Sequence, residues 1–89
     1  MKIDYTAKFE KRYSELPKKI KVRTEKQEKI FRGNPFHPSL HTEKLSPKFK
    51  EVWSFRIDKK YRTIFQFINK DKVVFLNIGH HNWIYRINF

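Results

Sequence analysis

Between Glu51 and Tyr85 three runs rich in β-branched and aromatic residues are separated by two short polar breaks. The runs are Glu51-Val-Trp-Ser-Phe-Arg-Ile57, Tyr61-Arg-Thr-Ile-Phe-Gln-Phe-Ile68 and Val73-Val-Phe-Leu-Asn-Ile-Gly-His-His-Asn-Trp-Ile-Tyr85, and the breaks are Asp58-Lys-Lys60 and Asn69-Lys-Asp71. Runs of this composition bounded by turn formers predict strands, and breaks this short join antiparallel neighbours. The expectation is a three-stranded meander. Arg56 and Arg62 fall inside it, where a soluble sheet has no structural need of guanidinium groups. His80, His81 and Tyr85 follow the third strand.

Upstream, Lys2 to Tyr5 is a short candidate strand with Ile3 and Tyr5 on one face, able to lie beside the meander as a fourth strand. From Thr6 the period changes. Phe9, Tyr13 and Leu16 stand at i, i+4 and i+7, one face of a helix, and Thr6 suits its N-cap. Pro17 is disfavoured inside a helix but fits the first turn of a new one, so the region divides into helices over Ala7–Glu15 and Pro17–Arg32. The second carries Lys18, Lys19, Lys21, Arg23, Lys26, Lys29 and Arg32 against only Glu25 and Glu28. Its apolar stripe of Ile20, Ile30 and Phe31, completed by Thr24 and Gln27, is thin, which places it on the surface. Gly33-Asn34-Pro35 supplies the expected stop. The following segment to Pro47 reads as a loop, anchored by Leu40 and Leu45. The sum is one α+β domain over 1–89, ordered β-α-α-β-β-β, with two N-terminal helices packed in one layer on a small antiparallel sheet.

The net charge of +12 on 89 residues narrows the partners. Such an excess costs stability by self-repulsion and favours polyanions. Without a basic amphipathic anchor the membrane is the least suited of these. Nucleic acid leads, an acidic protein is compatible with it, and a merely solvated surface is the bland alternative. The chain has no cysteine, so neither disulfides nor thiolate-bound metal support the fold. No third and fourth ligand is spaced to complete a zinc site with the histidines, and no metal or cofactor is expected. Met1-Lys-Ile-Asp-Tyr5 lacks the apolar stretch of a secretory leader and no run reaches membrane-spanning length, so a cytoplasmic location is expected.

The order of elements, the Leu45…Trp53-Ser-Phe-Arg-Ile57 and Tyr61-Arg-Thr-Ile-Phe65 segments and the terminal Ile78-Gly-His-His-Asn-Trp-Ile-Tyr85 resemble the RelE/ParE superfamily, the toxins of type II toxin–antitoxin systems. The resemblance spans essentially the whole chain. It implies either a ribosome-dependent endoribonuclease that cuts mRNA without a metal, the favoured branch, or a ParE-like gyrase poison that cuts no RNA. Metal-free RNA cleavage needs a base for the 2′-hydroxyl, a stabiliser for the charge of the phosphorane and an acid for the departing 5′-oxygen.

The resemblance assigns candidates to these tasks. Arg62, in the Tyr-Arg motif, matches the catalytic arginine of the ribonuclease members, and its planar fork suits phosphate. A surface salt bridge to Asp58 or Asp71 is its structural alternative. Arg56 matches a basic residue facing the scissile phosphate, or else is an ordinary solvent-facing strand residue. His81 is the candidate proton carrier, since histidine exchanges protons near neutral pH. Tyr85 would stack on a base or use its hydroxyl, whereas Trp83 would pack. Some ribonuclease members carry two lysines where this chain has Ser54 and Arg56, so its proton-transfer set must differ, with His81 as the substitute. His41, Lys44 and His80 are candidate RNA contacts, and Glu43 is a possible carboxylate base. Lys18, Lys19 and Lys26 would meet ribosomal RNA phosphates. Ordinary polar surface is the alternative for each of these. The implied partners are the ribosome, mRNA and a cognate antitoxin, the last in a heterodimer or heterotetramer.

Overall fold

The computed structural model describes residues 1–45 and 51–86, so Pro47 lies outside the described residues. Strand β1 (Lys2–Tyr5) leads into helices α1 (Ala7–Ser14) and α2 (Lys18–Gly33). After a 3₁₀ turn at Pro38–Leu40 come β2 (Glu43–Lys44), β3 (Val52–Arg56), β4 (Tyr61–Asn69) and β5 (Lys72–His80), and a second 3₁₀ turn at Ile84–Arg86. The strands form one sheet in the order β1-β5-β4-β3-β2. The fold is α+β, with both helices on one face.

Local chemistry accounts for the boundaries. The Thr6 hydroxyl accepts from the Phe9 amide at 3.0 Å, capping α1, and donates to the Leu76 carbonyl at 2.9 Å, fixing that cap to β5. Pro17 is the N-cap of α2, and Asn34 ends it, its amide donating to the Ile30 carbonyl at 2.9 Å. The meander forms as the runs predict. Asp58 Oδ1 accepts from the amides of Lys60 and Tyr61, both at 2.8 Å, which sets the β3–β4 turn. Asn69 Oδ1 holds the β4–β5 turn through the Asp71 amide.

Two features depart from the sequence reading. The sheet is mixed: β1 pairs with β5 in parallel, Lys2 against Lys72 and Tyr5 against Phe75. Side-chain alternation fixes which face a residue takes but not which way a strand runs, so the antiparallel expectation had no support at β1. The stretch read wholly as loop also contributes β2, a two-residue edge strand antiparallel to β3.

Under the helices the core is aromatic. The Phe31 ring of α2 lies 5.0, 4.9 and 5.4 Å from Phe55, Phe65 and Phe75, one on each meander strand. All four are fully buried, joined by Leu40, Ile57 and Ile78. A smaller cluster of Val52, Ile64 and Ile84, with Leu45, Leu76 and Trp83 against it, covers part of the other face. That face is therefore not left open, as a single helix layer implied. No described helix is long and apolar enough to cross a membrane.

Candidate functional site

The register of β3 and β4 sets Arg56 directly opposite Arg62. Trp53, Phe55 and Ile57 belong to the core beneath the helices. By period-2 alternation Ser54 and Arg56 point to the second face, and Arg62 joins them there. Like charges directly opposite one another destabilise a sheet. Both side chains are half-buried, which sharpens the cost. An anion bound between the two side chains would relieve that repulsion.

Among the described residues Arg62 forms no salt bridge with Asp58 or Asp71, the structural alternative for it. Its Nη1 donates instead to the carbonyls of Asp58 (2.9 Å), Lys59 (3.2 Å) and Tyr61 (3.1 Å). The guanidinium is thus anchored by one corner to the β3–β4 turn. Among the described residues its Nε and Nη2 have no protein partner, which leaves the fork's other side for a ligand. The backbone of Arg56 is held as firmly. Buried Gln27 donates through Nε2 to the Arg56 carbonyl at 3.0 Å and the Ser39 carbonyl at 3.4 Å, while Arg23 Nε donates to the Ile57 carbonyl at 3.1 Å.

Tyr85 reaches the same face from the C-terminal turn, anchored by buried Ile84. Its hydroxyl lies 3.3 Å from Ser54 Oγ, two strand positions or about 7 Å from Arg56. Tyr85 is 43% exposed, open enough to meet a flat ligand. Glu43 pairs with Ser54 across β2 and β3, so a carboxylate joins this face through register alone.

His81 is exposed on the turn after β5, and its amide donates to the Lys60 carbonyl at 2.7 Å. It therefore adjoins the turn that Arg62 caps. The His80 and His81 rings stack with centroids 4.8 Å apart. His80 faces the helix side, edge-on to Tyr61 at 5.4 Å, with Nδ1 accepting from the Asn82 amide. It lines a cleft of about 190 Å³ with Leu16, Gly79 and Trp83. Lys44 also points away: it pairs with Trp53, and its Nζ sits 6.0 Å from that ring's centroid. His41 is exposed just before β2, in a left-handed conformation (φ 47°).

Lys19 and Lys26 flank Arg23 on α2 and, with Asp58, line a cleft of about 370 Å³ beside the β3–β4 turn. Lys18 is exposed but does not line that cleft. Arg23 was not singled out from the sequence, although the 19, 23, 26 spacing is one helix face and carried the signal. Among the described residues no three His, Cys, Asp or Glu side chains converge as metal ligands do.

Trp83 packs, as expected. Its indole lies on Gly79 so closely that any Cβ there would collide with ring atoms Cη2 and Cζ2, and Arg12 covers the ring at 5.1 Å. Gly79→Ala is expected to destabilise the fold by about 1–3 kcal/mol through overpacking, a fall in Tm of roughly 5–15 °C in a domain this size. Thermal denaturation followed by tryptophan fluorescence checks this, and an unchanged Tm would refute the contact.

Residues 4–81 match the family model described as the RelE-like toxin of the type II toxin–antitoxin system HigB. No curated protein sequence matches significantly. Among solved structures, a YoeB/ParE toxin from Agrobacterium tumefaciens superposes with a TM-score of 0.77 at 16% identity, covering 91% of this chain and 99% of that one. YafQ from E. coli strain BL21(DE3) gives 0.76 at 16% identity, covering 93% and 96%. The RelB–RelE antitoxin–toxin complex from Methanococcus jannaschii gives 0.73 at 20% identity, covering 93% and 95%. At these identities the structural likeness speaks for the fold.

Proposed function

Because the chain belongs to the HigB-like family of RelE-like toxins of type II toxin–antitoxin systems, we propose that it is an endoribonuclease that cuts mRNA on the ribosome and is restrained by a cognate antitoxin. The observation that carries this reading is the cross-strand pair Arg56–Arg62, with Tyr85 on the same face and His81 at the adjoining turn. A protein that only binds an enzyme has no need to place two guanidinium groups against each other in a sheet.

In this reading the free side of Arg62 and the head group of Arg56 take the scissile phosphate and stabilise the negative charge that grows as the 2′-oxygen attacks phosphorus. The 2′-hydroxyl gives up its proton as the new P–O bond forms, and the 5′-oxygen takes one as the old bond breaks. His81, whose amide is bonded to the turn that Arg62 caps, is the candidate proton carrier and fits either transfer. Tyr85 supports an unpaired base beside the phosphate, since aromatic faces stack on bases. The basic edge of Lys19, Arg23 and Lys26 continues from the same turn, where ribosomal RNA phosphates are its natural ligands. Lys44 and His80 act elsewhere, since neither faces this pair. The work would take place in the cytoplasm.

The partner is an antitoxin: RelE of M. jannaschii is seen with RelB, E. coli YafQ with DinJ, and a YoeB of Staphylococcus aureus with YefM. The test is cleavage by the purified protein of one mRNA, free in solution and within translating ribosomes, mapped by primer extension. Discrete cuts confined to the translated region, with the free RNA intact, are expected. Efficient cutting of free RNA would overturn ribosome dependence. Intact mRNA in arrested cells that accumulate DNA breaks would make the protein a gyrase poison instead.

A further inference from the structure

On the helix face, α1, α2 and the end of β1 enclose a groove of about 310 Å³. Its wall is a run of three rings: Tyr5 and Phe9 with centroids 5.5 Å apart, then Phe9 and Tyr13 at 6.2 Å and nearly parallel. Glu10, Glu25 and Glu28 border it. Three of the nine acidic residues of a +12 chain thus face one concavity. None of the three forms a salt bridge among the described residues. Glu28 and Glu25 accept hydrogen bonds from the hydroxyls of Tyr5 (2.6 Å) and Tyr13 (3.3 Å), which ties the carboxylates to the aromatic wall. Desolvation, then the Glu28 bond, pushes the Tyr5 phenol up to about 12.

Two cations of the chain stand at the rim: Lys21, with Nζ 6.0 Å from the Tyr13 ring, and Arg32, whose Nη2 donates to the Tyr5 hydroxyl at 3.4 Å. Neither neutralises the glutamates, but Lys21 shows which charge the aromatic wall accepts. Rings flanked by carboxylates suit a cationic head on an aliphatic stem. The volume is at the small end of ligand pockets, room for one or two side chains rather than a helix.

We propose that this groove takes a lysine or arginine side chain of the antitoxin, a contact of opposite polarity to any that acidic segments of the partner would make with the basic surface. The proposal rests on the toxin reading above. An attraction of each sign at two separate places fixes the orientation of the partner and rejects chains that are merely acidic. The groove lies on the other side of the sheet from Arg56 and Arg62, so it governs binding and not cleavage.

The test has two arms. Titration of the ¹⁵N-labelled full chain with arginine amide is expected to give saturable shifts at the amides of Tyr5, Tyr13, Glu25 and Glu28. In the Glu25→Gln/Glu28→Gln variant, a near-isosteric change checked by circular dichroism, that binding should weaken at least tenfold. Isothermal titration with the protein encoded in the adjoining reading frame should then show a ten- to hundredfold loss of affinity in the same variant, with mRNA cutting by the free toxin unchanged. A tight wild-type complex that the double variant leaves intact overturns the groove assignment alone, as do shifts scattered over other acidic residues. Failure of the wild-type chain to bind that protein at all overturns the toxin–antitoxin pairing, and the groove's occupant with it.

Discussion

Arg62→Ala is expected to relieve the growth arrest, and to erase the in-frame mRNA cuts, that the proposed activity predicts for the wild-type chain. The loss should be on the order of 10²–10³-fold, the usual cost of deleting a preorganised charge stabiliser in an active site. Arg62→Lys keeps the charge but not the fork and should fall between the two. The variant also forfeits the contacts of Nη1 with the turn carbonyls of Asp58, Lys59 and Tyr61. A typical hydrogen bond contributes only about 1 kcal/mol net, so the protein should stay folded with a modestly lower Tm. Primer extension after brief induction, beside circular dichroism of the purified variant, separates lost chemistry from lost structure. A folded Arg62→Ala protein that still cuts mRNA would remove Arg62 from the mechanism.

The second large effect concerns the fold. Phe31→Ala empties the space between the rings of Phe55, Phe65 and Phe75 and removes the ring that α2 packs on all three meander strands. Truncation of a fully buried phenylalanine costs about 3–5 kcal/mol, against a total of about 5–15 kcal/mol for a typical domain. The expected result is a fall in Tm of roughly 15 °C or more and poor recovery in soluble form. Urea denaturation of the purified variant measures it. A loss below about 1 kcal/mol would mean that the helix layer is not held as described.

These two sites differ in how much of them can be read from the chain. The meander is legible because composition, alternation and turn chemistry agree, and Asp58 and Asn69 do in the turns what such residues do. Helix α1 is legible from Phe9, Tyr13 and Leu16 after Thr6. The parallel pairing of β1 is not, because Ile3 would be buried whichever way the strand ran. Nor is the cover that Ile84 provides for the second face, since one buried isoleucine after a turn has no period. In the candidate site, a three-residue turn centred on Lys59 already places Arg56 opposite Arg62. The adjacent histidines could not be told apart until the end of β5 was known: His80 closes the strand and faces the helices, while His81 begins the turn. Lys44 turned out to face Trp53 because the two-residue strand that orients it left no pattern to detect.

The parallel ladder between β1 and β5 also sets a timetable. Lys2 pairs with Lys72, 70 residues later in the chain, so the first strand made must wait for the last. At about 5–20 residues per second of synthesis the delay is roughly 4–14 s. Throughout it α1 and α2 have no finished sheet to pack on, and such distant pairing is slow to form even once both strands exist. The nascent chain consequently passes its synthesis without the complete sheet beneath its arginines, so the face that carries them is assembled only after β5 has left the ribosome.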